Sequence, residues 1–277
     1  TDWLEDHLTD PAVRVVDVRW YLLDPQKGGE EYRRGHVPGA VFMNVDGDLA
    51  ARVGEGPGRH PLPRPEAFAE AAARAGIGPN THVVAYDDAG GANAGRLWWL
   101  LRYFGHEKAS LLDGGINRWI QEGRPLETAI RPVERGAFVP RLHPEWAVDR
   151  EQVNALRTDK RALILDSRAP ERYRGEVEPI DPRAGHIPGA RSAPLAGNLR
   201  GADDLRFKTA EELRARFEEL GAGEATRIVA YCGSGVNACQ NILALNLAGF
   251  SKALLYPGSW SDWSSSPDRP AAQGAEP

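Results

Sequence analysis

The feature that most constrains this chain is that it repeats itself. His36-Val-Pro-Gly-Ala40 recurs as His186-Ile-Pro-Gly-Ala190 at an offset of 150 residues, and Asp17, which closes an apolar run, returns as Asp166 at 149. Val-Val-Ala-Tyr-Asp87 answers to Ile-Val-Ala-Tyr-Cys232 at 145, while Gly105 pairs with Gly249 and Trp119 with Trp263 at 144. Five landmarks whose spacing drifts by so little imply one α/β unit present twice. At 277 residues the chain has room for two domains of roughly 150 residues each.

Apolar runs that read as strands occupy 13–18, 81–86 and 109–112 in the first half and 162–166, 227–231 and 253–256 in the second. They alternate with segments of helical periodicity. An Ala-rich helix opens at Pro65, and Thr209-Ala-Glu-Glu212 has the form of a capping box at the head of another. Strands alternating with helices predict a mainly parallel sheet flanked by helices in each half, with the active edge at the strand C-termini. Periodicity fades over residues 125–146, where four prolines space an extended connector. The expected organisation is a first domain over 1–124, a linker over 125–146, a second domain over 147–264 and a flexible tail over 265–277.

With 34 basic and 39 acidic side chains interspersed along its length, the chain has no polybasic surface for nucleic acid or membrane. Two cysteines are too few for a disulfide framework, and no apolar run approaches the roughly 20 residues of a membrane span. The expectation is a cytoplasmic protein without cofactor, and no Cys/His cluster has metal-ligand spacing. The chain does not begin with Met, which leaves room for a targeting segment upstream.

The repeat isolates one position where the halves differ in chemistry. At the same strand-to-helix junction the first half carries Asp87 and the second Cys232. Cys232 opens Cys-Gly-Ser-Gly-Val-Asn-Ala238, whose glycines let the backbone curl so that N–H groups entering a helix converge on one anionic atom. Such a cradle favours a thiolate. A carboxylate cannot replace a thiolate nucleophile, so the first domain is expected to be catalytically silent. Cys239, on the following helix, reads as a packed small residue.

Together these features resemble the tandem rhodanese family, in particular the thiosulfate and 3-mercaptopyruvate sulfurtransferases. Two domains, a His-x-Pro-Gly-Ala motif in each, a cysteine loop only in the second, and the Leu112-Asp-Gly-Gly115 and Tyr256-Pro-Gly-Ser-Trp260 segments carry the resemblance over nearly the whole chain. The uncharged Gly233-Ser234 is similar to the mercaptopyruvate-type loop, and Asn237 stands where that loop has Thr. The resemblance implies that Cys232 takes a sulfane sulfur from a small anionic donor as a persulfide. It then passes the sulfur to a thiol such as thioredoxin or glutathione, or to cyanide. It implies a cradle of Gly233, Gly235, Val236 and Asn237, and donor-binding arginines at Arg172 and Arg183. It also implies a polarising Ser234 backed by a first-domain histidine, for which His36 is the match, and by an aspartate, with Asp24 upstream. Both motif histidines have a plainer reading, as backbone hydrogen-bonders that fix the turn before proline. A phosphatase of this fold would need an arginine six residues after the cysteine, where this chain has Ala238. A non-enzymatic persulfide carrier is the remaining alternative, and it would have no use for paired arginines.

Overall fold

Why each half forms a parallel sheet is visible in its strands, which are apolar on both faces and too short to be helices. The computed structural model describes residues 1–277. The chain divides into two compact units that do not follow the midpoint of the sequence. The first comprises 1–51, 62–143 and 201–207, and the second 52–61, 144–200 and 208–277.

In the first unit β1 (Val13–Asp17), β2 (Val41–Phe42), β3 (His82–Tyr86) and β4 (Ala109–Leu111) form an all-parallel sheet of order β2-β1-β3-β4. One face packs Val15, Val84 and Tyr86 against Leu4 of α1 (Asp2–Asp6), Tyr32 of α2 (Lys27–Arg34), and Ile116 and Trp119 of α5 (Gly115–Gln121). Helix α3 (Pro65–Arg74) starts on proline, whose missing N–H costs nothing in a first turn, and α4 (Ala94–Tyr103) packs on β3 and β4.

The second unit repeats the plan. Strands β5 (Ala162–Asp166), β6 (Ala190–Ser192), β7 (Arg227–Tyr231) and β8 (Leu254–Leu255) form a parallel sheet of order β6-β5-β7-β8. Ile164, Val229 and Tyr231 meet Val153 and Leu156 of α6 (Arg150–Leu156) and Trp260 and Trp263 of α10 (Ser259–Ser265). A short α7 (Pro170–Tyr173) follows β5, and α8 (Ala210–Glu219) lies against α9 (Ala238–Leu247), which packs on β7. The predicted Thr209 capping box is present, and Asp149 forms a second one with Gln152. The sequence expectation of two parallel α/β sheets with flanking helices therefore holds. No helix is long and apolar enough to cross a membrane.

Several short elements escape the sequence reading. Strands β2 and β6 have two and three residues, too few for any periodicity, and are defined by pairing with β1 and β5. Helix α2 contains two glycines and one buried apolar side chain. Gly28 is required there, because a Cβ would lie 2.1 Å from the Arg19 carbonyl oxygen.

The predicted linker and the predicted flexible tail are both laid against their own units, by the same contacts. Glu127 pairs with His36 as an antiparallel bridge and Ala272 with His186. The Trp119 indole donates to the Pro125 carbonyl and the Trp263 indole to that of Pro270, each at 2.7 Å. Both tryptophans are fully buried, and an indole N–H left unpaired there would cost about 1–3 kcal/mol. The repeat thus extends past the last helix of each half, into segments with too few apolar residues to announce it.

Candidate active site

Two buried charge networks stand behind the strand ends. Asp17 holds Arg19 by three hydrogen bonds between side chains, accepts from Tyr86 at 2.7 Å, and shares Arg19 with the Gly35 carbonyl. Asp166, Arg168, Tyr231 and the Gly185 carbonyl reproduce the set, and each tyrosine hydroxyl accepts the N–H after the motif histidine. The conserved geometry fixes where each His-x-Pro-Gly-Ala turn sits against its sheet.

The first unit's loop shows what such a loop is built to hold. The Asp87 carboxylate lies inside it, 1% exposed, and accepts four backbone N–H groups: Ala89 and Gly91 on Oδ1 at 2.9 Å, Asn93 and Ala94 on Oδ2 at 2.8 Å. Burial lifts this carboxyl above its ordinary range, with the four N–H groups pulling the other way. Asp87→Asn is expected to cost the first unit about 2–4 kcal/mol, because the new NH2 would face two N–H donors. Urea unfolding of the variant checks this.

In the second unit Cys232 follows β7 and is 2% exposed. Its Sγ accepts the Gly235 N–H at 3.1 Å. The loop is held from behind: Cys232 N–H donates to Ser259 Oγ at 3.1 Å, and the Cys232 and Gly233 carbonyls accept from Trp260 and Ser261, both at 2.9 Å. Gly235 has φ of 78°, and a Cβ there would lie 2.4 Å from the Pro257 carbonyl oxygen, so only glycine closes this turn. Val236 is buried, Asn237 caps α9 without a side-chain bond, and Cys239 Sγ donates to the Gly235 carbonyl at 3.4 Å. Buried Asn241 of α9 fastens the helix to Ser167 and Ala193 at 2.8 and 2.7 Å.

Ser234 is buried beside the cysteine, with its Oγ 2.7 Å from Nδ1 of His60. The histidine at Ser234 is therefore His60, 174 residues away in sequence, and not His36. His36 turns its Nδ1 onto the Tyr32 carbonyl at 2.8 Å and stacks on the Tyr32 ring at 4.1 Å. His186 does the same with Tyr173, at 2.8 and 3.8 Å. Both motif histidines thus have the plainer of their two readings, fixing the turn. Asp24 is exposed and accepts from Lys27 N–H at the head of α2. His60 was hidden from sequence reasoning in Gly56-Pro-Gly-Arg-His-Pro-Leu-Pro63, too rich in glycine and proline to form an element. An Arg-His pair in such a loop was the available signal.

Arg172 and Arg183 also part company. Arg172 stands at the loop, its Nη1 3.6 Å from the point where a Gly233 Cβ would lie, and pairs through Nη2 with Glu178 at 2.6 Å and Asp181 at 3.1 Å. Arg183 instead donates to the carbonyls of Ser264, Arg269, Trp263 and Ser266 at 2.7–3.1 Å. It satisfies the open end of α10, and four of its five N–H groups are spent on backbone. The second guanidinium at Gly233 is that of Arg59, which ion-pairs with Asp181. Burial lifts the Asp181 carboxyl, and the Arg59 charge opposes that shift. Glu178 joins Arg172 to Arg168, so alternating charges run from Asp166 to Arg59.

A thiol with a backbone donor on its sulfur, a Ser–His pair beside it and guanidinium groups over the loop can attack sulfur in a small anion and stabilise the charge that leaves.

Comparison with known proteins agrees with this geometry. The family model for a rhodanese-like domain matches residues 1–122 and again 149–266. A probable 3-mercaptopyruvate sulfurtransferase of Pseudomonas aeruginosa is 44% identical, over 98% of this chain and 96% of its own length. A putative thiosulfate sulfurtransferase of Mycobacterium tuberculosis, SseB, is 40% identical over 96% of this chain and 92% of its own. Among solved structures, that of the 3-mercaptopyruvate sulfotransferase SseA from Escherichia coli superposes with a TM-score of 0.82 at 35% identity, over 94% of this chain and 97% of that one.

Proposed function

This chain belongs to the rhodanese family and is a sulfurtransferase, and we propose that it draws sulfur from 3-mercaptopyruvate through a persulfide on Cys232. The observation that carries the donor choice is the hydrogen bond between Ser234 and His60 beside the thiol. The Cys232 thiolate attacks the donor sulfur, an S–S bond forms, the C–S bond breaks, and the electron pair passes to the enolate of pyruvate. Ser234 O–H stabilises the enolate oxygen, and a proton supplied through the Ser234–His60 pair completes pyruvate. The persulfide would lie at the loop backbone, whose Gly235 N–H already meets Cys232 Sγ. A thiolate acceptor or cyanide then attacks the outer sulfur and restores Cys232. The first unit, with Asp87 in place of a thiol, takes no part in the bond-making.

Thiosulfate needs none of the Ser–His chemistry, because sulfite departs with the pair and requires no proton. Wild-type protein is expected to show a higher kcat/KM with 3-mercaptopyruvate than with thiosulfate. Ser234→Ala should lower the first about 10²–10³-fold and the second by less than about threefold. A wild-type preference for thiosulfate, or equal losses in the variant, would reverse the donor assignment while leaving Cys232 as the sulfur carrier.

A further inference from the structure

We infer that Ser167 and Asn241 are positioning residues for Cys232: a buried side-chain lock that fixes the head of α9 against the end of β7 and so holds the Gly235 N–H at Sγ. The inference deepens the proposed function and rests on Cys232 being the residue that reacts.

The lock closes across the cysteine loop. Ser167, which follows β5, donates its own N–H to the Tyr231 carbonyl at 2.8 Å, one residue before Cys232. Its Oγ accepts from Asn241 Nδ2 at 2.8 Å, and Asn241 lies in the first turn of α9, which begins where the loop ends. Ser167 therefore ties the strand that enters the loop to the helix that leaves it. The Asn241 amide has no freedom to turn, because Nδ2 also donates to the Ala193 carbonyl at 2.7 Å and Oδ1 accepts from Asn198 Nδ2 at 2.6 Å. Asn198 is held in turn by Gln240 Oε1 at 2.8 Å and by Arg216 Nη1 at 2.9 Å. Asn198, Gln240 and Asn241 are fully buried, and Ser167 is buried with them. Buried polar groups bound on every side define one geometry, whereas apolar packing tolerates small shifts.

The first unit shows that the fold itself does not require this polarity. Val18 takes the place of Ser167, with the same backbone bond from its N–H to the Tyr86 carbonyl at 2.8 Å, and Leu97 takes that of Asn241 at the offset set by Gly105 and Gly249. Both are fully buried. Side chains that merely joined strand to helix could be apolar in both units. The polar pair accompanies the thiol, and the apolar pair accompanies Asp87, whose own carboxylate oxygens gather four N–H groups and shape the loop from within. Cys232 Sγ receives the Gly235 N–H alone, so its loop has to be shaped from outside.

Ser167→Ala removes the acceptor without adding bulk and leaves Asn241 its bonds to Ala193 and Asn198. It is expected to lower kcat for 3-mercaptopyruvate about tenfold with KM within about twofold of wild type, because a shifted loop misplaces the reacting sulfur and leaves donor binding alone. Ser167→Thr puts the hydroxyl back on a β-branched frame, a shape the first unit accepts as Val18, and should return kcat to within about threefold of wild type. Alkylation of Cys232 by iodoacetamide, in which the thiolate displaces iodide, gives a reading without sulfur transfer. Followed by peptide mass spectrometry at neutral pH, its rate should fall about fivefold in Ser167→Ala and recover in Ser167→Thr. A kcat within about twofold of wild type in Ser167→Ala, equal losses in the two variants, or faster alkylation would reduce the pair to packing and overturn the inference. The expected alkylation pattern in a protein that transfers no sulfur from either donor would keep the lock and remove the function proposed above.

Discussion

Cys232→Ser is expected to lose sulfur transfer by at least about four orders of magnitude in kcat, with every donor and acceptor. The substitution is close to isosteric, and the loop around it is fixed by Ser259, Trp260 and Ser261, so the second unit should keep its fold. What disappears is the nucleophile: a serine hydroxyl stays protonated at neutral pH and forms no S–S bond, so nothing can hold the transferred sulfur. Thiocyanate formation from cyanide and the gain of one sulfur in the intact mass after donor treatment check this. Turnover that persisted would move the reaction to Cys239, the other thiol of the chain, which is buried against the Gly235 carbonyl.

The largest effect on stability should come from Asp17→Ala. It leaves Arg19, whose side chain is 6% exposed, without its carboxylate and Tyr86 without its acceptor, retaining only the Gly35 carbonyl. Removing one partner of a buried pair costs roughly 3–5 kcal/mol, far more than an exposed pair is worth. Asp166→Ala should cost measurably less in spite of the equivalent geometry, because Arg168 keeps Glu178 at 3.2 Å as a second carboxylate. Urea unfolding of both variants, read as separate transitions where the two units unfold separately, tests the ordering. Equal losses would show that Glu178 is committed to Arg172 and contributes nothing to Arg168.

Much of the architecture was legible because it rests on patterns that repetition amplifies. Runs such as Ala162–Asp166 and Arg227–Tyr231 are apolar on both faces, end on a chemically distinct residue, and occur twice. A misreading in one half is corrected by the other. The cysteine loop was legible for the same reason, through the exchange of Asp87 for Cys232 at one junction. The site's polar partners were less so, since their roles depend on where a side chain is spent. Arg183 and Arg172 occupy one charged stretch, yet Arg183 satisfies carbonyls at the end of α10 while Arg172 reaches the loop. His36 sits in a prominent motif because the turn needs it, whereas His60 and Arg59 lie in a loop without periodicity and meet the cysteine loop only through tertiary structure. The segments after α5 and α10 escaped for a related reason: they are held by single carbonyls and backbone bridges, which leave no mark on hydropathy.

The carboxylate of Asp87 gives the duplication a thermodynamic meaning. One half carries its acceptor oxygens covalently, so the four N–H donors of its loop are occupied from the moment it folds. In the other half, on the function proposed above, the corresponding loop would hold the transferred sulfur only while Cys232 is loaded, so a stabilisation that is constant in the first unit would be gained and lost in the second once per turnover.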